Sequence, residues 1–358
     1  MARRNPILRF IARLEGPQTL GRGPWFWSAA LVVLAAAVVY PLATDSYTVG
    51  NTVYFFNWAF MALGLCLIWG YGGALSFGQT AFFGIAGYAY GVVTLNFGAD
   101  YGLTLWATVV AVALAAVAAT VLGYFLFFGR ISGVFLGIVT LAVTLVLERF
   151  MAQTAGPEWH IGSARLNGFN GMSGMPNLTI PWPGGEPLTL APDLPLYYVV
   201  LGLLALVYLA LRILVNSSFG NVVVAIRENP ERATMLGYDV RKYQLGVFVI
   251  GSALAGLSGV LYTSWGQYIT PSSMGLTAAS LPIVWVAVGG RGDLTTTLIG
   301  TLLLIGGFQA LTVYGSQYAL VVMGALLVLT VLLAPQGLVL AAVSAAARVV
   351  GRGARGTT

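Results

Sequence analysis

The chain has 358 residues, 58% of them hydrophobic and only 8% charged, with a mean hydropathy of +0.86. A soluble globule carries roughly 25% charged residues to face water, and a charge at the bilayer centre costs on the order of 2.5–3.5 kcal/mol, so the composition excludes an ordinary soluble domain. The net charge of +6 does not point to nucleic acid, because the basic residues lie in the connections between long apolar runs.

Met1–Gly23 carries Arg3, Arg4, Arg9, Arg13 and Arg22. Ile7, Phe10, Ile11 and Leu14 fall at helical spacing, which predicts a short amphipathic helix at the cytoplasmic interface. The apolar run that follows is too long for a signal peptide, so this segment is expected to be retained. Residues 24–340 form the predicted membrane domain. Apolar runs near 20 residues match a helix rising ~1.5 Å per residue across ~30 Å of hydrocarbon. A β-barrel would instead show ~10-residue alternating segments. The expected fold is therefore all-α, a polytopic bundle of nine or ten transmembrane helices. Spans are predicted near 25–43, 51–70, 79–97, 103–128, 133–151, 196–214, 243–264, 279–290, 295–313 and 318–334.

Between the second and third spans lies Trp69–Gln79, where Gly70, Gly72, Gly73 and Gly78 interrupt an apolar stretch. Each glycine lowers helix stability by about 1 kcal/mol relative to alanine. A broken helix at membrane depth is tolerated only beside protein or a water-lined cavity. Ser76, Gln79 and Thr80 add polar groups there. A related segment, Val284–Gly292, contains Gly289 and Gly290 and follows a span too short to cross alone. Paired glycine-interrupted segments point to an internal repeat and a pathway. Gly70, Gly72, Gly73, Ser76, Gln79, Gly289 and Gly290 are thus the candidate lining of a translocation path. Ordinary tight turns between helices are the simpler alternative. Pairs of small residues such as Gly87/Gly91 and Ser252/Gly256 are explained by helix packing.

The connection 152–195 holds seven prolines and both Trp159 and Trp182. It is expected outside, as an ordered cap that could receive an external partner. His160, the only histidine, reads as a surface residue. Glu148 and Arg149 read as an interfacial ion pair. The connection 216–242 is expected inside. Within it Asn229 is a good N-cap, Pro230 suits the first helical position, Glu231 suits the first turn, and Gly237 closes the helix. The segment Arg227, Glu228, Asn229, Pro230, Glu231, Arg232 and Leu236, with its well-capped two-turn helix over Asn229–Leu236, is either a plain connector or the point where a moving partner pushes. The tail 341–358 is expected to be cytoplasmic.

With the N-terminus inside, Lys and Arg segregate. Arg130, Arg212, Arg227, Arg232, Arg241, Lys242, Arg291, Arg348, Arg352, Arg355 and the five N-terminal arginines lie on one side. That is 15 of the 17, leaving Arg149 and Arg165 outside. The positive-inside rule then predicts both termini in the cytoplasm, and a bacterial inner membrane is the expected location.

Some chemistry is missing. There is no G-x-x-x-x-G-K-[ST] phosphate loop, so this chain does not itself hydrolyse ATP, and there is no H-E-x-x-H metal site. One cysteine, Cys66, permits no disulfide within the chain. Apart from Glu148 the spans lack carboxylates, which proton-coupled carriers use.

Three ordered motifs resemble the permease subunits of ABC importers for branched-chain amino acids. They are the stretch Trp69–Gly87 with its Gly-Tyr-x-Gly-x-Leu-Ser-x-Gly-x-x-x-Phe-x-Gly pattern, the segment Ala225–Leu261, and Pro335-Gln336-Gly337-Leu338. The resemblance spans roughly residues 50–340. It implies a second, homologous permease subunit, two cytoplasmic ATPase subunits that use ATP and Mg, and a periplasmic substrate-binding protein. It also implies that Ala225–Gly237 is the ATPase-coupling segment. No cofactor is expected in this chain, no catalytic or metal-binding residue, and no enzymatic activity of its own. Trp285–Gly292 and Asn167–Gly171 are similar to urea and short-amide permeases, so the solute class stays open. An ATP-independent secondary transporter or channel is the alternative of another class.

Overall fold

A computed structural model describes residues 14–98, 103–181 and 187–342. Residues 1–13, Trp182 and all of the C-terminal tail beyond residue 342 lie outside it. The helices are α1 (Gly23–Val39), α2 (Ser46–Leu65), α3 (Gln79–Val93), α4 (Thr104–Phe128), α5 (Gly133–Gln153), α6 (Leu194–Asn216), α7 (Ser218–Glu228), α8 (Pro230–Met235), α9 (Val240–Gly266), α10 (Leu276–Gly289) and α11 (Leu294–Leu333). Eight of the described helical stretches are long and apolar enough to cross a membrane, and two shorter apolar helices, Leu276–Gly289 and Gln317–Leu333, accompany them. The polytopic helical bundle expected from the sequence is therefore the fold. The two predicted spans 295–313 and 318–334 are present as two helices within α11, Leu294–Val313 and Gln317–Leu333, separated where Gly315 leaves helical geometry.

Helix ends follow local chemistry. Asp45 caps α2 by accepting from the Thr48 amide at 3.0 Å and the Thr48 hydroxyl at 2.8 Å. Those bonds favour the ionised form and hold the carboxyl below its usual range. Asp293 caps α11 through the amides of Thr295 and Thr296. Glu148 and Arg149 do pair, at 3.4 Å.

The bundle is organised around α9, which packs on α4, α3 and α2. Small residues set these approaches. Ala107, Ala111, Ala115, Ala119 and Gly123 form a buried stripe at four-residue spacing on α4. A Cβ on Gly256 of α9 would stand 2.8 Å from the Ala115 methyl. Gly64 of α2 and Gly251 of α9 face each other across the backbone. Without a hydrophobic drive between helices in lipid, such close backbone contact supplies the packing energy. By contrast α1 buries no residue. It is tethered to α6 by Tyr197 and Tyr198, whose hydroxyls donate to the Ala37 and Val38 carbonyls.

The connection 152–195 is ordered where described. It forms short antiparallel hairpins, His160–Ile161 with Ala164–Arg165 and Leu178–Ile180 with Leu188–Leu190. Met172–Ser173 pairs with Tyr268–Ile269 beyond α9, which fastens the cap to the bundle. His160 is exposed, as expected. The amphipathic helix expected around Ile7, Phe10, Ile11 and Leu14 lies outside the described residues apart from Leu14, which is helical. From Glu15 to Arg22 the chain is turns and extended backbone laid across the bundle, and Leu14 and Thr19 are buried.

Candidate functional site

Apart from Arg149 and Arg165, the basic residues of the described connections gather at one end. Arg241 lies over the Phe128 ring and Arg291 over the Trp69 ring, at 5.1 and 5.4 Å. The capped helix α8 stands at this end. Asn229 accepts from the Arg232 amide at 2.9 Å, Pro230 opens the helix, and Glu231 sits in its first turn. Gly237 follows at φ +88°, where a side chain would be strained, and its amide donates to the Thr234 carbonyl. Glu228, Glu231 and Arg232 are exposed. Met235 and Leu236 are 85% and 76% exposed, an apolar tip on a polar segment.

Behind this tip the two glycine-rich breaks meet. The first begins where α2 widens into a π-turn over Cys66–Tyr71. It continues as non-helical backbone to Gly78. The second is the turn Gly290–Asp293 between α10 and α11. Gly70 lies directly against the Arg291 carbonyl, with no room for a side chain. Cys66 links the two: it accepts from the Thr297 hydroxyl at 3.2 Å, and its thiol donates to the Arg291 carbonyl at 3.5 Å. Arg227, from the last turn of α7, donates to the Gly70 carbonyl and packs its stem over Gly73. It pairs with Glu228 as well. Gly72 touches Val247 of α9. Gly289 and Gly290 sit against Thr296 and Thr297, whose hydroxyls donate to the Gly290 carbonyl at 3.3 and 3.0 Å. Gly290 has φ +120°.

Ser76 and Gln79 lie elsewhere. The Ser76 hydroxyl accepts from the Gly78 amide at 3.1 Å. Thr140 of α5 receives the Phe77 amide at 3.1 Å, and Thr144 donates to the Phe77 carbonyl at 3.4 Å. So two threonines one turn apart on α5 satisfy the broken backbone. Gln79 and Thr80 open α3 with their side-chain polar atoms buried and without a protein partner. Asn57 of α2 and Ser252 of α9 share that property. The structure thus brings Gly70, Gly72, Gly73, Gly289 and Gly290 together beside Arg227, while Ser76 is buried and bonded to the Gly78 amide and Gln79 is buried at the start of α3. A cleft at the basic end is lined by Pro17–Arg22, Tyr71, Arg227 and Gly292 and reaches neither Ser76 nor Gln79.

Sequence reasoning missed three contributors. Helix α7 is one, although Ser217 caps it and Val223 and Ile226 give it a buried face. Thr140 and Thr144 are the second, legible as a polar pair at i,i+4 in an apolar span. The Asp293 cap is the third.

A bundle of apolar helices with a charged, partly unpaired end and broken spans defines a multi-pass membrane protein of the permease type. The chain belongs to the family described as branched-chain amino acid transport system/permease component, whose model matches residues 47–331. It is 26% identical over 326 residues to the high-affinity branched-chain amino acid transport system permease protein LivM of Escherichia coli K12, covering 86% of this chain and 73% of that one. It is 33% identical over 136 residues to LivH of Salmonella typhimurium LT2, a permease protein of the same kind of system, covering 37% of this chain and 44% of that one. The probable ABC transporter permease protein YphD of Escherichia coli K12 is 30% identical over 165 residues, 44% of this chain and 47% of its own. No solved structure matches the chain.

Proposed function

We propose that the chain is the translocating permease subunit of an ABC importer for branched-chain amino acids or related small solutes. It pairs with a second, homologous permease subunit, in a bacterial inner membrane, with the basic end in the cytoplasm. Two ATPase subunits, which bind ATP and Mg, dock on the exposed tip of α8. A periplasmic binding protein delivers solute to the opposite end, over the hairpins of residues 152–195. The observation that carries this reading is the junction of Arg227 with Gly70. It joins the segment bearing the exposed Met235 and Leu236 to the place where both broken spans touch. A push on α8 therefore reaches Gly70, Gly72, Gly73, Gly289 and Gly290 through one guanidinium.

Ser76 and Gln79 are proposed as polar groups of the path that open to solute during the cycle. A buried polar group without a partner costs about 1–3 kcal/mol, which a solute or water group would recover. Urea or a short amide is the second solute reading. It rests on Trp285–Gly292, whose Trp285 packs at 5.6 Å from Trp58, and on the turn Asn167–Gly171.

The test is reconstitution of the chain with its partner permease, ATPases and binding protein in vesicles. ATP-driven uptake of labelled leucine is expected, and uptake of urea alone would select the second reading. Replacing Glu231 and Arg232 together should keep the complex and its ATP hydrolysis while abolishing uptake. Unchanged uptake in that double variant would refute the coupling role of α8.

A further inference from the structure

The residues before α1 do more than lead into the membrane. Arg212, near the end of α6, is fully buried. Among the described residues no carboxylate pairs with it. Its Nε donates to the Leu14 carbonyl at 3.1 Å, and Nη2 donates to the Gly21 carbonyl at 2.8 Å and the Thr19 hydroxyl at 3.2 Å. Its Nη1 donates to the Tyr208 hydroxyl at 2.8 Å. The rings of Phe26 and Trp27 stand 4.8 and 5.2 Å from the guanidinium carbon. A buried cation balanced only by carbonyls, hydroxyls and ring faces is costly compared with an apolar side chain. What it obtains here is a grip on the strap Glu15–Arg22.

That strap touches four other pieces of the basic end. Gln18 donates its amide to Asn216 Oδ1 at 3.1 Å and its side chain to Asn221 of α7 at 3.4 Å. Asn216 also donates to the Thr19 hydroxyl at 3.2 Å. Tyr71, in the first break, donates to the Gln18 carbonyl at 2.9 Å. The Leu20 amide donates to Asp293 Oδ2 at 2.7 Å, while Oδ1 of the same carboxylate caps α11. So the helix that carries Arg227 and the turn that carries Gly290 are joined through the strap. Pro17–Arg22 also line a cleft of about 440 Å³ together with Tyr71, Arg227 and Gly292.

We propose that the strap Glu15–Arg22 is a second transmission element, parallel to the contact of Arg227 with Gly70. It carries movement of α7 to the second glycine break, with Arg212 and Asp293 as its positioning residues. The proposal rests on the ATP-coupled reading above. Asp293→Asn is the discriminating change. Asparagine retains an oxygen for the Thr295 and Thr296 amides but turns a donor toward the Leu20 amide, so it releases the strap without uncapping α11.

In the reconstituted full complex, Asp293→Asn should raise hydrogen exchange over Glu15–Gly23 and keep ATP hydrolysis. Leucine moved per ATP, or urea if that is what the parent moves, should fall by about tenfold, within the usual range of coupling between two sites. If the variant does not accumulate, Asn216→Ala with Asn221→Ala removes the Gln18 contacts to the end of α6 and to α7 while leaving the Arg212 grip, and is read the same way. A strap that exchanges faster while solute per ATP stays constant would overturn the proposal. So would parallel loss of hydrolysis and uptake at an unchanged ratio, which describes a structural staple. Absence of ATP-driven uptake in the parent complex would instead overturn the importer reading, and the strap's role with it.

Discussion

The two glycine-rich breaks look alike in sequence and are built differently. The second, Gly289–Asp293, is closed. Its backbone lies against Gly300 and Gly337, its carbonyls receive the threonine hydroxyls of α11, and Asp293 satisfies the helix start. The first, Cys66–Gln79, is open in the chemical sense. A π-turn and an extended stretch replace a helix, Thr140 and Thr144 patch the backbone, and Gln79 and Thr80 are left without partners. Helix irregularity with spare polar groups marks a segment that changes partners, whereas a fully satisfied turn marks one that moves as a unit. The contrast supports the proposed transport cycle, with movement in the first break and leverage in the second.

The largest test of that contrast is Gly70→Ala. The added methyl meets the Arg291 backbone, which cannot step aside as a side chain could. Overpacking of this kind costs up to about 3 kcal/mol, so the purified subunit should lose heat resistance in a size-exclusion assay. An unchanged profile would show that the two breaks do not touch. Thr140→Val comes next. It leaves the Phe77 amide without its acceptor, at a cost of about 1–2 kcal/mol, and Thr140→Ser should restore the loss. Asn229→Ala removes the α8 cap for about 1 kcal/mol, read as faster hydrogen exchange at Arg232 and Ala233 with the bundle otherwise unchanged. The smallest stability effect is expected of Gln79→Leu. Replacing an unpartnered buried amide by a hydrocarbon should leave stability within about 0.5 kcal/mol or raise it, while uptake falls. A destabilised protein with normal uptake would place Gln79 in the framework and not on the path.

The sequence disclosed much of this. Apolar length located the spans within a few residues, because lipid leaves the backbone few choices. The α8 cap was legible in full, since Asn229, Pro230, Glu231 and Gly237 act locally. Both breaks were visible as glycine clusters, but their contact was not. It depends on Cys66, Thr297 and Arg291 meeting across more than 200 residues. For the same reason the convergence of the five path glycines near Arg227 is not visible in the sequence. Arg212 looked like one more basic residue of an inner loop. Its burial arises from the strap, whose carbonyls carry no signature in the side-chain sequence.

The central claim is that α8 faces the compartment of the ATPases and bears on them. Leu236→Cys tests it directly, because Cys66 is buried and stays silent. A membrane-impermeant maleimide should label the variant in inside-out vesicles, fail to label it in right-side-out vesicles, and be blocked when the ATPase subunits are bound. Labelling from the outer face, or labelling indifferent to those subunits, would contradict it.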